Sequence, residues 1–184
     1  MTSSGDNLRS SGSKSPGRSG APPPTALDHG MQVRLTLVLR PAGIDELPFL
    51  ESWIRTGLWP TAVLPLTPAQ NEPHSFLTSL TRSLAGILGK PVDAAAHAEL
   101  TLEDTVTELL NAASGAPDDF AWVFKDYDCI TEATVHHAVS WMLDYAPSQM
   151  HLYLTLDREP PLPNLPRLRV RRHLLAIPLR LDQA

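Results

Sequence analysis

The chain has 184 residues and a formal net charge of −5, from 15 basic and 20 acidic side chains. This acidic balance does not favour a general affinity for nucleic acid, and the chain has no run of about eighteen apolar residues that could span a membrane. A single cysteine, Cys129, excludes a disulfide within the chain and fits the reducing cytoplasm, where we expect the protein to be located.

Residues 1–30 are rich in Ser, Gly and Pro and contain almost no large apolar side chains. Such a segment cannot bury enough apolar surface to offset the entropy that is lost on folding, so we expect it to be a disordered leader. It also lacks the apolar central block of a secretory signal. Residues 31–184 are predicted to form one folded domain.

The folded part begins with a predicted strand at residues 33–39. The strand runs through a small-residue turn, residues 40–43, into a predicted helix that Asp45 is placed to cap. This is the layout of a phosphate-binding loop, in which backbone N–H groups freed by glycines, a lysine and a hydroxyl hold the nucleotide. Only Gly43 remains of the glycines, and Asp45 and Glu46 stand where the cation would be.

Further along, short apolar runs alternate with segments of helical periodicity, which is typical of a parallel sheet covered by helices on both faces. The later strands are predicted at residues 62–66, 120–124, 151–156 and 174–179. Between them we expect a helix that ends at Gly89, a helix that begins with a capping box at Thr101 and Asp104, and a helix that Thr131 caps. The third strand should deliver Lys125 and Asp126 to the carboxyl edge of the sheet.

This order of elements resembles the nucleotide-binding domain of MalT-type, LuxR-family transcriptional regulators, which belong to the STAND class of P-loop ATPases. The resemblance runs over residues 33–177, and its most specific matches are Asp126-Tyr127, the proline segment 160–163 and the basic turn 167–169. It implies a P-loop NTPase-like three-layer α/β sandwich with a mostly parallel sheet. The family binds ATP with Mg²⁺ and carries later sensor and DNA-binding parts, which we expect to be missing here.

The resemblance also implies that the charges of the family's nucleotide site are reversed here. Glu46 falls on the phosphate-binding lysine, Lys125 on the first of two acidic residues, and Asp157 on an arginine, with Arg158 one place later. The degenerate nucleotide-site positions are Arg40, Pro41, Ala42, Gly43, Asp45, Glu46, Leu47, Lys125, Asp126, Asp157 and Arg158.

The reversed charges argue against catalysis. A carboxylate in place of a phosphate-facing cation loses an attraction worth roughly 4 kcal/mol at about 4 Å and an effective dielectric of about 20, and it adds a repulsion of similar size. A lysine also cannot bridge two phosphate oxygens as Mg²⁺ does. We therefore predict no catalytic residue and no cofactor, and we expect Glu46, Lys125 and Asp157 to pair with one another in an empty pocket.

No metal site is predicted either. A metal pair at Asp126 and Asp128 is the weaker alternative, because two carboxylates beside a lysine more often form a solvated strand end. His136 and His137 are neighbours on a helix and point apart, so they do not form a joint site.

A dense basic cluster lies near the end of the chain, at Arg167, Arg169, Arg171 and Arg172. Its alternating spacing fits an anion or an acidic partner surface, and a solvated turn is the alternative. Aromatic residues do not interleave it, so direct DNA binding is not expected.

Together these features predict a pseudo-ATPase, which is a non-catalytic regulatory or protein-interaction module derived from the ATPase domain of such a regulator. The expected partner is a protein, either a related STAND regulator or a second copy of the chain. One alternative is a domain that binds or hydrolyses ATP with displaced residues such as Arg40 and Arg158. Another is a decayed fragment of a regulator.

Overall fold

The computed structural model describes residues 26–40, 48–89 and 101–178. The helices are α1 (Ala26–Gly30), α2 (Pro48–Arg55), α3 (Pro73–Leu88), α4 (Leu102–Ala113), α5 (Ala133–Tyr145) and α6 (Leu165–Val170). The strands are β1 (Leu35–Leu39), β2 (Thr61–Pro65), β3 (Phe120–Lys125), β4 (Met150–Leu156) and β5 (Leu174–Pro178). Short 3-10 turns occupy Pro68–Asn71 and Tyr127–Cys129.

The strands form a five-stranded sheet in the order β2-β3-β4-β1-β5, with every neighbouring pair parallel. Leu154 of β4 lies between Leu37 of β1 and Phe124 of β3. Helices cover both faces, so the predicted α/β sandwich with a parallel sheet is confirmed. Within the described ranges no helix is long and apolar enough to cross a bilayer.

Each face of the sheet has its own hydrophobic core. On one face, α3, α4, α5 and α6 pack on side chains such as Trp122 and Phe124, which are fully buried. On the other face, the short helices α1 and α2 pack on Val38, Val123 and Tyr153. Because side chains alternate along a strand, neighbouring residues of β1, β3 and β4 serve opposite cores.

The ends of the helices follow local capping chemistry. The predicted box at the start of α4 is confirmed, since Thr101 and Asp104 exchange hydrogen bonds. Gly89 ends α3 in the left-handed conformation, with φ 63°. The predicted cap of α5 is wrong, because the cap is Glu132 and the backbone N–H of Thr131 donates to the side chain of Asn71.

The fold begins earlier than the sequence indicates. Residues 26–30, which we assigned to the leader, form α1, and Leu27 is only 2% exposed. The Tyr153 hydroxyl donates to the Leu27 carbonyl at 2.7 Å, and the Trp53 indole donates to Asp28 at 2.9 Å. A turn after α1 delays the start of β1 to Leu35, two residues later than predicted. The rest of the predicted leader lies outside the described residues.

Residues 167–169, which we predicted to form a basic turn, lie in the short helix α6 instead. Its first turn contains Pro166, whose missing N–H costs nothing at that position. Leu165 and Leu168 face the larger core and are almost fully buried, which fixes the helix against the sheet.

The topology creates a crevice at the carboxyl edge of the sheet. The connection that leaves β1 carries α2 on one face, whereas the connections that leave β3 and β4 carry α5 and α6 on the other. Ligands of open parallel sheets bind where adjacent strands send their connections to opposite faces. Here that point lies between the ends of β1 and β4.

Candidate functional site

An arginine occupies this crevice and binds two carboxylates. Arg40 directly follows β1, and its Nη1 and Nη2 donate to Asp126 Oδ1 at 2.5 Å and to Asp128 Oδ1 at 2.8 Å. The Arg40 side chain is only 9% exposed, against 40% for Asp126 and 24% for Asp128. We call these three residues the arginine clamp.

The ends of the strands hold the clamp in position. The backbone N–H of Arg40 donates to the Leu156 carbonyl at 2.9 Å, which continues the pairing of β1 with β4. Asp126 takes the left-handed conformation, with φ 63° and ψ 43°, and its N–H donates to the buried hydroxyl of Thr155 at 2.9 Å. Asp tolerates this conformation better than most residues, and the resulting turn brings Asp128 to the same guanidinium.

The charges of the clamp stabilise its ionised form. Burial alone would lower the pKa of Arg40, but the hydrogen bonds and negative charges of Asp126 and Asp128 outweigh it and raise the pKa above its ordinary value. The guanidinium is therefore charged at every physiological pH. Burial and the two carboxylates also raise the pKa of the adjacent Cys129 thiol, so the thiolate needed for nucleophilic chemistry is disfavoured.

Of the predicted mutual pairing of Glu46, Lys125 and Asp157, the contact between Lys125 and Asp157 does not form, and Glu46 lies outside the described residues. Lys125 lies on the same face of β3 as Val123, which packs against α2, and its Nζ is 3.3 Å from Glu51 of that helix. Asp157 lies beside its exposed neighbour Arg158, at 3.6 Å from Oδ1 to Nε. The remaining degenerate positions lie outside the described residues and are Pro41, Ala42, Gly43, Asp45, Glu46 and Leu47.

Asn71, which the sequence analysis did not single out, fixes the turn that carries Asp128. Its Nδ2 donates to the Cys129 carbonyl at 3.0 Å, and its Oδ1 accepts from the backbone N–H groups of Thr131 at 2.7 Å and Glu132 at 2.9 Å. A polar residue in a loop gives no periodic signal, and these partners are distant in sequence. Only the folded structure therefore identifies this contact.

A cavity of about 460 Å³ adjoins the clamp, between the turn after β3, the first turns of α5 and the proline segment after β4. We call it the carboxyl-edge cavity. Its lining includes Asp128, Leu156, Arg158 and Pro160. Its volume lies within the range of small-molecule sites, about 300–1,000 Å³.

A buried neutral pair forms part of the wall of this cavity. The Tyr127 hydroxyl and His136 Nδ1 are 2.8 Å apart. Burial is the main cause that lowers the pKa of His136, and it also raises the pKa of Tyr127 far above its ordinary value. Both side chains are therefore uncharged near neutral pH. His137 is exposed, and the described residues contain no group of three side chains arranged to hold a metal ion.

The basic cluster is divided by the fold. Arg167 contacts Asp144 at the end of α5, and Arg169 donates to Glu159 at 2.7 Å. Arg171 and Arg172 are exposed, and neither contacts a carboxylate among the described residues. Arg167 and Arg171 line the same cavity, whereas Arg169 and Arg172 lie outside its lining.

Comparison with known proteins gives a distant relative. No family model matches the chain. The chain is 26% identical over 149 residues to the HTH-type transcriptional regulator MalT of Cronobacter sakazakii (strain ATCC BAA-894). The match covers 78% of this chain but only 16% of that regulator. This similarity and the parallel α/β sheet together indicate a distant relation to one part of a MalT-like regulator.

Proposed function

We propose that the chain is a non-catalytic regulatory module, derived from the ATPase domain of a MalT-type regulator, that acts through protein contacts in the cytoplasm. The arginine clamp is the observation that carries this proposal. At the edge where a sheet of this topology binds its ligand, a guanidinium of the protein itself contacts both carboxylates.

The clamp competes directly with a metal ion. Mg²⁺ is bound through carboxylate oxygens together with substrate phosphates and water, and it tolerates little departure from octahedral geometry. Asp126 and Asp128 each use Oδ1 to accept from Arg40, so an incoming ion competes with the guanidinium for the same two carboxylates. Each charge-assisted hydrogen bond contributes about 1.5–3 kcal/mol when it is buried and less when it is exposed. Loss of both contacts would weaken metal binding by up to roughly two orders of magnitude.

The basic residue at the end of β3 also contacts a carboxylate. Lys125 contacts Glu51 on α2, on the face of the sheet away from the carboxyl-edge cavity. A phosphate at the crevice would have to take Lys125 from this carboxylate. In the described part of the site, Arg40 and Lys125 therefore each contact a carboxylate without a nucleotide.

The proposed partner is a protein, either a related STAND regulator or a second copy of the chain. The similarity to a transcriptional regulator supports this class of partner. Strand β2 forms one edge of the described sheet, and Val63 on this strand and Leu58 just before it are exposed apolar residues. Exposed strand edges and apolar side chains of this kind are common in protein contacts.

Thermal unfolding with nucleotide tests the proposal. Binding to the folded state alone raises the melting midpoint in proportion to RT ln(1 + [L]/Kd), so about 1 mM Mg·ATP should reveal any useful affinity. We expect no rise for the wild-type chain. A rise that disappears in Arg40→Gln or Lys125→Gln but persists in the control Arg55→Gln, which changes an exposed arginine of α2, would refute the pseudo-ATPase assignment.

The second candidate is an ATP-binding signalling domain that uses displaced residues. It is supported by Arg158, which lines the carboxyl-edge cavity beside Asp128 and is largely exposed. Release of phosphate from ATP, measured for the wild type and for Arg158→Gln, distinguishes the two candidates. Turnover that depends on Arg158 would favour the signalling ATPase.

A further inference from the structure

A second cavity, of about 230 Å³, lies at the opposite edge of the sheet, where the strands begin. We call it the amino-edge cavity. Arg34 enters it from the residue before β1 and His173 from the residue before β5, while the last turn of α5 and the helix α6 close its sides. Its charged and titratable lining consists of Arg34, Asp144, Tyr145, Arg167, Arg171 and His173.

Positive charge dominates this lining. The carboxylate of Asp144 contacts the guanidinium of Arg167 and also accepts from the Asn164 side chain at 2.9 Å. It therefore compensates one of the three arginines. Arg34 and Arg171 contact no carboxylate among the described residues. Two guanidinium charges are left for a ligand.

The cationic groups are held in place before any ligand binds. Arg34 Nη1 donates to the carbonyls of Leu143 at 3.0 Å and Asp144 at 3.2 Å, which are unpaired acceptors at the end of a helix. Arg167 is held by Asp144. Side chains that are ordered in advance lose little entropy on binding, so more of the interaction energy contributes to affinity.

We propose that the amino-edge cavity binds a phosphate group carried by a small molecule, with Arg34 and Arg171 as its direct ligands and Arg167 as a positioning residue. The planar fork of N–H donors on a guanidinium matches the oxygens of a phosphate. Two uncompensated charges match a dianion better than a monocarboxylate. The volume is below the roughly 300 Å³ at which sites for larger ligands begin, so it suits a phosphorylated head group and not a whole nucleotide.

Isothermal titration calorimetry at low ionic strength tests the site with named probes. Phenyl phosphate and glycerol 3-phosphate represent monoesters, inorganic phosphate represents the free ion, and glycerol is the uncharged control. Substitution Arg171→Gln removes one direct ligand from an exposed position and should weaken the binding of both monoesters about tenfold. Arg172→Asn removes the same charge one residue away, outside the cavity lining, and should leave binding within about twofold.

The outcomes separate the alternatives. Monoester binding that Arg171→Gln weakens and Arg172→Asn does not would support the site, and binding of inorganic phosphate alone would overturn the small-molecule assignment. If Arg171→Gln and Arg172→Asn weaken monoester binding equally, the binding reflects general surface charge and the proposed site is overturned. If a phosphopeptide binds and phenyl phosphate does not, the ligand is a macromolecule and the small-molecule proposal is overturned. Unchanged melting of Arg171→Gln controls for folding.

The proposal is independent of the pseudo-ATPase assignment. The amino-edge cavity and the arginine clamp lie at opposite ends of β1. Variants of Arg40 should leave phenyl phosphate binding unchanged, and failure of one assignment leaves the other intact.

Discussion

Replacement of Arg40 by alanine should destabilise the fold by removing the only cation in contact with Asp126 and Asp128 among the described residues. Two charge-assisted hydrogen bonds are lost, at 2.5 and 2.8 Å. Fully buried, they would contribute about 1.5–3 kcal/mol each. The carboxylates are 40% and 24% exposed, so solvent screening reduces this contribution. We expect a loss of about 2–3 kcal/mol in the free energy of unfolding.

Urea denaturation at pH 7 measures this loss, and the melting midpoint should fall by roughly 4–12 °C for a chain of this size. The matched control is Arg158→Ala, which removes an exposed arginine whose contact with Asp157 is longer, at 3.6 Å. That substitution should cost less than about 0.5 kcal/mol. An equal effect of the two substitutions would refute the view that the clamp is a specific, partly buried contact.

Removal of the clamp arginine should also create a site for a divalent metal ion. In Arg40→Ala the two carboxylates lose their shared cation and become available to a divalent ion. About 10 mM Mg²⁺ should then raise the melting midpoint of the variant but not that of the wild type. Joint replacement of Asp126 and Asp128 by asparagine in the variant should abolish the rise and recover part of the lost stability, because it removes the unpaired charges.

Three further predictions follow from local geometry. Asn71→Ala loses all its side-chain contacts to the turn before α5 and should cost about 2–3 kcal/mol in urea unfolding, whereas Asn71→Asp keeps the acceptor and should cost less; equal costs would contradict this role. Gly30→Ala places a Cβ 2.5 Å from the Tyr153 hydroxyl oxygen and should destabilise by about 1–3 kcal/mol. Gly86→Ala places its Cβ in open space within α3 and should raise the free energy of unfolding by about 0.5–1 kcal/mol. If both glycine substitutions destabilise the fold, the close contact at Gly30 is not the cause. Because the folded pKa of His136 lies below its unfolded value, the unfolded state binds more protons, and the stabilising contribution of the neutral ring should fall as pH drops below about 6.5. His136→Gln should reduce this slope in unfolding free energy measured between about pH 5 and pH 7, and an unchanged slope would assign it to other groups.

Most of the fold could be predicted because its signals are local. Each strand is a short apolar run, and the box at Thr101 and the stop at Gly89 depend on side chains within a few residues. The elements that the sequence did not predict depend on tertiary contacts. Helix α1 is too short and too poor in apolar residues to be recognised, and it forms because Leu27 and Asp28 find partners on β4 and α2.

The sequence identifies several side chains near the candidate site but not how they pair. Sequence order places Arg40 and Asp126 at the carboxyl edge, but it cannot say which opposite charges meet there. Alternation along β3 puts Lys125 on the face of α2, and with the left-handed turn at Asp126 the carboxylates of Asp126 and Asp128 both reach Arg40. The pairing thus depends on one backbone conformation that composition does not reveal. Arg34 was missed because its partners are carbonyl groups, which every residue carries.

The two arginines that flank β1 have opposite electrostatic surroundings, and this contrast connects the two proposals. Arg40 faces two carboxylates, whereas Arg34 faces two neutral carbonyls. The six residue steps between them span roughly 20 Å along a strand, beyond the screening length of about 8 Å at physiological ionic strength. Charge changes at one edge should therefore be felt weakly at the other. The effects of Arg40→Ala and Arg34→Ala on unfolding free energy should then add to within about 0.5 kcal/mol, and a larger coupling would mean that the sheet itself links the edges.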